Sequence, residues 1–367
     1  MKKNIICIII SSLLLGGCTE IVQTPLEDLG LISVAAFDYV DEKKMKMTVI
    51  MPQSAEDAKN PTQVYSVETE LVQKGLVEIS SKSDSTAALN QLRVVLFSEE
   101  MAKTDQMHKV IEYLYNNPKV TTRTFVAVVK DSAGKLLESE YPDKANKSIY
   151  MNNFFNKRQN VLFNPFKNIH DLIYDLHNPL VDPVVVYVEL KESLINIDGI
   201  AVFKDKKMVD IFTREDAKSL QLLLETNKIS SLSFVIDLDL AEEKIFMNFL
   251  RVKTKITSNH DIESPKLNIS MKLSGQLSEY EGKKDLGNKS EVAKLEKEIE
   301  KAVEDDMKEF LQKCQELSVD PIGLFESFRM RYKGDWPSDL KDELLAKAEF
   351  EVDVKLDITT SGAITKK

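Results

Sequence analysis

The residue with the clearest chemical prospect is Cys18. It follows Leu15-Gly16-Gly17, behind an apolar run from Ile5 to Leu15 and a basic start at Lys2 and Lys3. That run is shorter than the roughly 20 apolar residues a permanent span needs, so it reads as a secretory signal. The two glycines let the chain lie extended in a peptidase groove, and the Cys after them completes a lipobox. Its thiol takes an S-diacylglyceryl group, residues 1–17 are cut away, and the new N-terminus is N-acylated. An ordinary secretory signal with an unrelated Cys, or an uncleaved anchor, is the alternative; the order of basic residues, apolar core, small pair and Cys favours the lipidated form. Each buried lipid methylene contributes about 0.8 kcal/mol, so two or more chains hold a protein stably. The mature chain is therefore expected outside a membrane and close to it.

Other reactive types offer less. His170 and His177 lie seven apart and share a helix face with Asp171 and Asp175 nearby. A metal site usually needs a closer pair and a third ligand, so a solvated helix face is the expectation and no metal is predicted. Cys314 sits on an apolar helical stripe and reads as a small core residue. The acidic pairs Asp305-Asp306 and Glu242-Glu243 point in different directions and read as solvated. Trp336 is either an exposed anchor for a partner or a packed core residue, and the core reading is preferred. No nucleophile elbow, phosphate loop, dinucleotide fingerprint or zincin motif is present, and no cofactor is expected beyond the lipid on Cys18.

Composition narrows the function classes. The chain has 367 residues, 43% hydrophobic and 29% charged, as globular proteins do. Lys2 and Lys3 leave with the signal and no acidic residue does, taking the formal charge from −10 to −12. That balance disfavours nucleic acid and flat adsorption to an anionic bilayer. Cys7 is lost with the signal and Cys18 is the anchor, so Cys314 alone cannot form an internal disulfide.

The elements follow from pattern. Residues 29–37 and 45–51 read as a hairpin around a turn at 38–44, and 54–62 as a loop. Residues 69–80 and 87–90 are helical or mixed. Residues 92–97 form a buried strand, after which Ser98 caps a helix carrying Glu99 and Glu100 in its first turn. Met107, Val110, Ile111 and Leu114 repeat at helical spacing until Asn116-Asn117-Pro118. Residues 124–129 and 184–190 are strands, with a short helix at 170–177, while 143–168 shows no clear period.

Residues 195–203, containing Gly199, and 208–212 make a second hairpin around Lys204-Asp205-Lys206-Lys207. Thr213 to Asp216 resembles a capping box, and Leu220, Leu223 and Leu224 supply a helical face. Residues 233–240 and 267–273 alternate. Asn288 and Glu291 open a long helix whose stripe runs from Val292 through Cys314 to Leu317, closed by Asp320-Pro321. The last strand, 350–358, alternates apolar and charged residues, which suits an antiparallel sheet covered on one face by that helix.

The fold class is α+β and multi-domain, with mostly antiparallel or mixed sheets. The expected divisions are a signal (1–17), a tether (18–28), an N-terminal domain (29–192), a middle domain (193–250) and a C-terminal domain (251–367) with a long helix at about 289–318.

Over essentially its whole mature length the chain resembles the Ger(x)C family, the lipoprotein C subunits of GerA-type spore germinant receptors. The resemblance is carried by the lipobox, Glu27-Asp28-Leu29-Gly30, Ala36-Phe37-Asp38 and Phe97-Ser98-Glu99-Glu100-Met101-Ala102-Lys103. It continues through the stretch from Asp198-Gly199 to Val209, Glu279-Tyr280, the long helix, Asp320-Pro321-Ile322-Gly323 and Ser361-Gly362. The chain departs from the family at Thr19, where Trp is frequent, at Ala36, where Gly is usual, and near Leu344 and Leu345, where a second C-terminal Trp is missing. The resemblance implies three α+β domains, no enzyme activity and a lipid anchor on the outer surface of the spore's inner membrane. It also implies work with an A subunit and a polytopic, transporter-like B subunit. It carries no catalytic residues over. The exposed turn Lys204, Asp205, Lys206 and Lys207 is the candidate partner contact. The alternative is a lipoprotein that itself captures a small solute; such proteins usually have two lobes with parallel sheets around a cleft, whereas these strands read as antiparallel. A cell-wall hydrolase would need an acid pair or metal site that the sequence does not offer.

Overall fold

Val94-Val95-Leu96-Phe97 contains no polar residue, so a strand built from it must be covered on both faces. A computed structural model, which describes residues 25–52, 62–156, 167–224, 234–238 and 243–361, places it in that setting. Cys18 lies outside the described residues, as do residues 53–61 of the expected loop and 239–240 of an expected strand. The strands β1 (Leu29–Leu31), β2 (Val34–Tyr39), β3 (Met45–Pro52), β4 (Thr62–Thr69), β5 (Thr86–Ala88), β6 (Val94–Ser98), β7 (Phe125–Val129) and β8 (Lys167–Asn168) come first. Among them lie helices α1 (Val72–Ser80), α2 (Glu99–Ala102), α3 (Asp105–Asn116), α4 (Ala133–Glu138) and α5 (Lys147–Phe155), with α6 (Ile169–His177) after β8. Then come β9 (Val184–Lys191), β10 (Leu194–Lys204), β11 (Lys207–Phe212), α7 (Arg214–Leu224), β12 (Phe234–Leu238), β13 (Glu243–Ser258) and β14 (Lys266–Glu281). The chain continues through α8 (Lys289–Glu316), α9 (Glu326–Arg329), α10 (Leu340–Lys347) and β15 (Glu349–Ser361).

The protein is α+β with mixed sheets. Among the described residues, a nine-stranded sheet runs β11-β10-β9-β7-β6-β2-β3-β4, with β8 beside β7. Its centre, β9-β7-β6-β2, is parallel, and antiparallel hairpins flank it on both sides. The expectation that these strands are antiparallel is thus corrected at the centre: α2, α3, α4 and α6 lie between the parallel strands as crossovers, which parallel neighbours require. On one face Phe37, Val95, Val128 and Tyr187 pack with α1, α2, α3 and α6; on the other Ala36, Leu96, Val129 and Val188 pack with α4 and α5. The expected single strand 29–37 divides at Ile32-Ser33, and β1 leaves to pair in parallel with β5.

The second sheet is β12-β13-β14-β15. Helix α8, 28 residues and so about 42 Å long, lays Leu295, Ile299, Val303, Met307, Phe310 and Cys314 over it. β15 pairs with β14 in parallel, which corrects the antiparallel expectation. The connection between them carries α8, α9 and α10, long enough to bring the chain back to start the strand at the same end.

The sheets cross both expected internal boundaries. Position 192/193 is the two-residue turn of the β9–β10 hairpin, with positive φ at Glu192 (50°) and Ser193 (60°), and 250/251 falls inside β13. Val184, Ile200, Val202 and Phe212 of the large sheet belong to the same core as α7 and α8. There Phe212 meets Phe310 edge to face at 5.2 Å.

Candidate functional site

The Lys204–Lys207 turn stands where the two sheets meet. Asp205 and Lys206 take positive φ of 48° and 75°, as a tight two-residue hairpin loop requires. Lys204 turns inward: its Nζ donates to the Ser318 carbonyl at 2.5 Å and lies 2.6 Å from Asp342 Oδ2. Lys207 reaches Asp105 of α3 at 3.4 Å. Asp205, Lys206 and Lys207 remain exposed. The turn therefore links α3 on one side with the segment after α8 on the other.

Beneath it lies a buried ionic junction. Lys341 of α10 donates to Asp182 Oδ2 at 2.5 Å, and both are nearly inaccessible to water. The Asp320 amide donates to the same carboxylate at 2.6 Å, while the Asp182 amide donates to the Asp320 carbonyl at 2.8 Å. Asp320 itself accepts from the amides of Ile322, Gly323 and Leu324 at 3.0, 2.9 and 2.7 Å. Complete burial pushes its carboxyl up to about 7, against those three amides and the Lys341 charge. Gly323 sits at φ +81°, a backbone state that glycine adopts readily. The Asp320-Pro321-Ile322-Gly323 run is thus a folded loop built around one carboxylate. Two Asp-Pro dipeptides, at 182–183 and 320–321, are the sequence trace of this junction. Lys341 left none, because lysine in a helix ordinarily reaches solvent.

Beside the junction is an open groove of about 680 Å³ between α6 and the Ile322–Arg329 segment. His170 and His177 both line it, on one helix face as their spacing predicts, with Tyr115, Tyr174 and Arg329. His177 Nδ1 lies 2.8 Å from the Ile173 carbonyl, and Arg329 is paired with Glu326 at 2.5 Å. Among the described residues no three His, Cys, Asp or Glu side chains stand close enough to hold a metal.

The remaining motifs serve the fold. Asp38 accepts from the Ala133 and Gly134 amides at 2.7 and 2.8 Å, closing the start of α4. Ser98 caps α2 through the Met101 amide, and Glu99 joins Lys103 to the buried Tyr187 hydroxyl, each at 2.5 Å. Glu243 is buried, not solvated as expected. The β13–β14 register brings Lys284 to it at 2.8 Å, and that ammonium and the Tyr280 hydroxyl outweigh burial and hold its carboxyl below the usual range. Trp336 packs against Tyr332 at the edge of the C-terminal core. The carboxylates of the junction are all engaged by amides or an ammonium, so the arrangement fixes one half against the other.

Two family models divide the chain between them. Residues 23–190 match "Spore germination protein N-terminal domain", and residues 198–362 match "Spore germination B3/GerAC like, C-terminal". The chain belongs to the Ger(x)C family. It is 27% identical to spore germination protein GerQC of Bacillus cereus over 99% of each chain. To spore germination protein KC of Bacillus subtilis (strain 168) it is 22% identical, over 97% of this chain and 95% of that one. The crystal structure of the GerBC protein matches with a TM-score of 0.57 at 16% identity, covering 89% of this chain and 97% of that one, and shares the fold. Of the Ger(x)C motifs quoted above, Asp38, Glu99, Tyr280, Gly199 and Asp320 all prove to be positions where backbone or buried charge must be satisfied. Among the described residues no helix is long and apolar enough to cross a membrane.

Proposed function

We propose that this Ger(x)C protein is the lipid-anchored, non-enzymatic C subunit of a nutrient germinant receptor. Lipid on Cys18 tethers it to the outer face of the spore's inner membrane, and it acts through contacts with the A and B subunits. The observation that carries this reading is coverage: both family regions occur in order, and GerQC matches end to end. A rigid junction between two sheets suits a subunit that presents surface to a partner. The exposed part of the hairpin tip, Asp205 to Lys207, is the first surface to probe.

Deleting the gene is expected to abolish germination in response to one class of nutrients and leave non-nutrient triggers intact; an unchanged nutrient response refutes the reading. Cys18→Ala is expected to lose fatty-acid label and either remain uncleaved or leave the membrane. Label retained by that variant excludes Cys18 as the anchor. The groove beside α6 falls in the size range of small-molecule sites and is where the solute-capture alternative would act. Calorimetry on the chain without its signal is expected to show no nutrient binding, and saturable binding of an amino acid or sugar favours the alternative.

A further inference from the structure

β15 is the outermost strand of its sheet, so one row of its amides has no strand to pair with. Three of those amides are nevertheless engaged. Val354 N donates to Glu304 at 3.0 Å, Leu356 N to Glu300 at 3.0 Å, and Ile358 N to Glu296 at 2.9 Å. All three acceptors come from α8. The match is periodic: four helical residues advance about 6.0 Å, and two strand residues about 6.6 Å. The helix numbering rises as the strand numbering falls, so one carboxylate meets every second amide over three steps. Glu300, the middle one, is buried, and its second oxygen is held by Lys297 at 2.7 Å. Placing three carboxylates along the inside of a helix costs desolvation, and helix–sheet packing alone does not call for them.

We propose that Glu296, Glu300 and Glu304 are an edge cover that keeps β15 from pairing with β15 of a second copy of this chain. Unpaired edges are templates for strand addition, and this one is well suited to its own image. Residues 349–361 contain no Pro or Gly and are rich in Val, Ile, Leu and Phe. The amides turned outward belong to the even-numbered residues 354, 356 and 358, so an antiparallel pair must match even with even. The two-fold register centred on Val354 does this. It sets Val352 against Leu356 and Phe350 against Ile358, and it sets Asp353 against Lys355 twice, an opposite-charge pair of the kind that stabilises sheets. The glutamates occupy the donors that this pairing would use.

The test replaces all three glutamates in the full chain purified in detergent. Glu296→Ala/Glu300→Ala/Glu304→Ala is expected to convert a monomer into a concentration-dependent dimer by sedimentation velocity. Glu296→Gln/Glu300→Gln/Glu304→Gln keeps an acceptor at each position and is expected to stay monomeric. In the unaltered chain, hydrogen exchange at Val354, Leu356 and Ile358 is expected to be at least tenfold slower than in the half-exposed Glu296→Ala variant for Ile358, with the other two unchanged. A folded triple-alanine variant that remains monomeric overturns the proposal, whether another strand or nothing takes the edge. Should that variant not fold, exchange decides: amides at 354, 356 and 358 that exchange freely in the unaltered chain overturn it equally.

Discussion

Lys341 and Asp182 meet at 2.5 Å although 159 positions separate them, and both are buried. The pair fastens the last helix before β15 to the segment leading into β9. Removing one partner leaves the other charge buried without compensation, at a cost of about 3–5 kcal/mol. Lys341→Met is therefore expected to lower unfolding free energy by that order in denaturant titration. Asp182→Asn combined with Lys341→Met is expected to cost less than the sum of the singles, because the stranded charge is gone. Additive losses contradict the pairing.

Gly199 sits at the bulge of β10, where an added Cβ would lie 2.1 Å from the Phe212 carbonyl oxygen. That atom is backbone and cannot swing aside. Gly199→Ala is expected to destabilise at or beyond the upper end of the roughly 1–3 kcal/mol typical of overpacking. Gly287→Ala, whose nearest neighbour is Asp285 Oδ1 at 3.4 Å, is the control. Equal melting temperatures for the two variants refute the close-approach account.

Cys314 is the free cysteine among the described residues and has no exposed surface. Burial, aided by the Asp320 and Asp216 charges, pushes its thiol well above the ordinary range. A thiol reagent is expected to leave the native protein untouched and to react once it is unfolded. Reducing agent is expected to leave the melting temperature unchanged. Rapid labelling under native conditions contradicts this placement.

Glu300 supplies a pH dependence. Burial works against its ionised form, but the Lys297 ammonium and the Leu356 amide outweigh it and hold the carboxyl below the usual value near 4.5. A depressed carboxylate stabilises the fold above its unfolded value, and the contribution is lost as pH falls through the folded one. The stability advantage of the unaltered chain over Glu300→Gln is expected to be full at pH 7 and to shrink between roughly pH 5 and pH 3. An advantage that grows on acidification reverses the sign and refutes it.

Local pattern made much of the fold legible. Ser98, Thr213 with Asp216, and Asn288 cap their helices as their types and spacing predict. The three-and-four stripe of α8 and the alternation of β14 and β15 match their buried faces. Helix α4 was missed because its start is held by Asp38, 95 positions upstream. Helix α5 was missed because its apolar residues do not gather on one side.

The sequence by itself determined the element types, the lipobox at Cys18 and the family, since capping, periodicity and motif order are properties of neighbours along the chain. Tertiary structure decided the rest. Strand direction in the centre of the large sheet and at β15 depends on where a crossover returns, which no local pattern encodes. The fate of charged residues depends on what lies across a gap. Lys204, Lys341, Glu243 and the three glutamates of α8 read as solvated in sequence because charge ordinarily belongs in water. Each is instead drawn inward by a partner 40 or more positions away. Only the folded chain brings those donors and acceptors within reach.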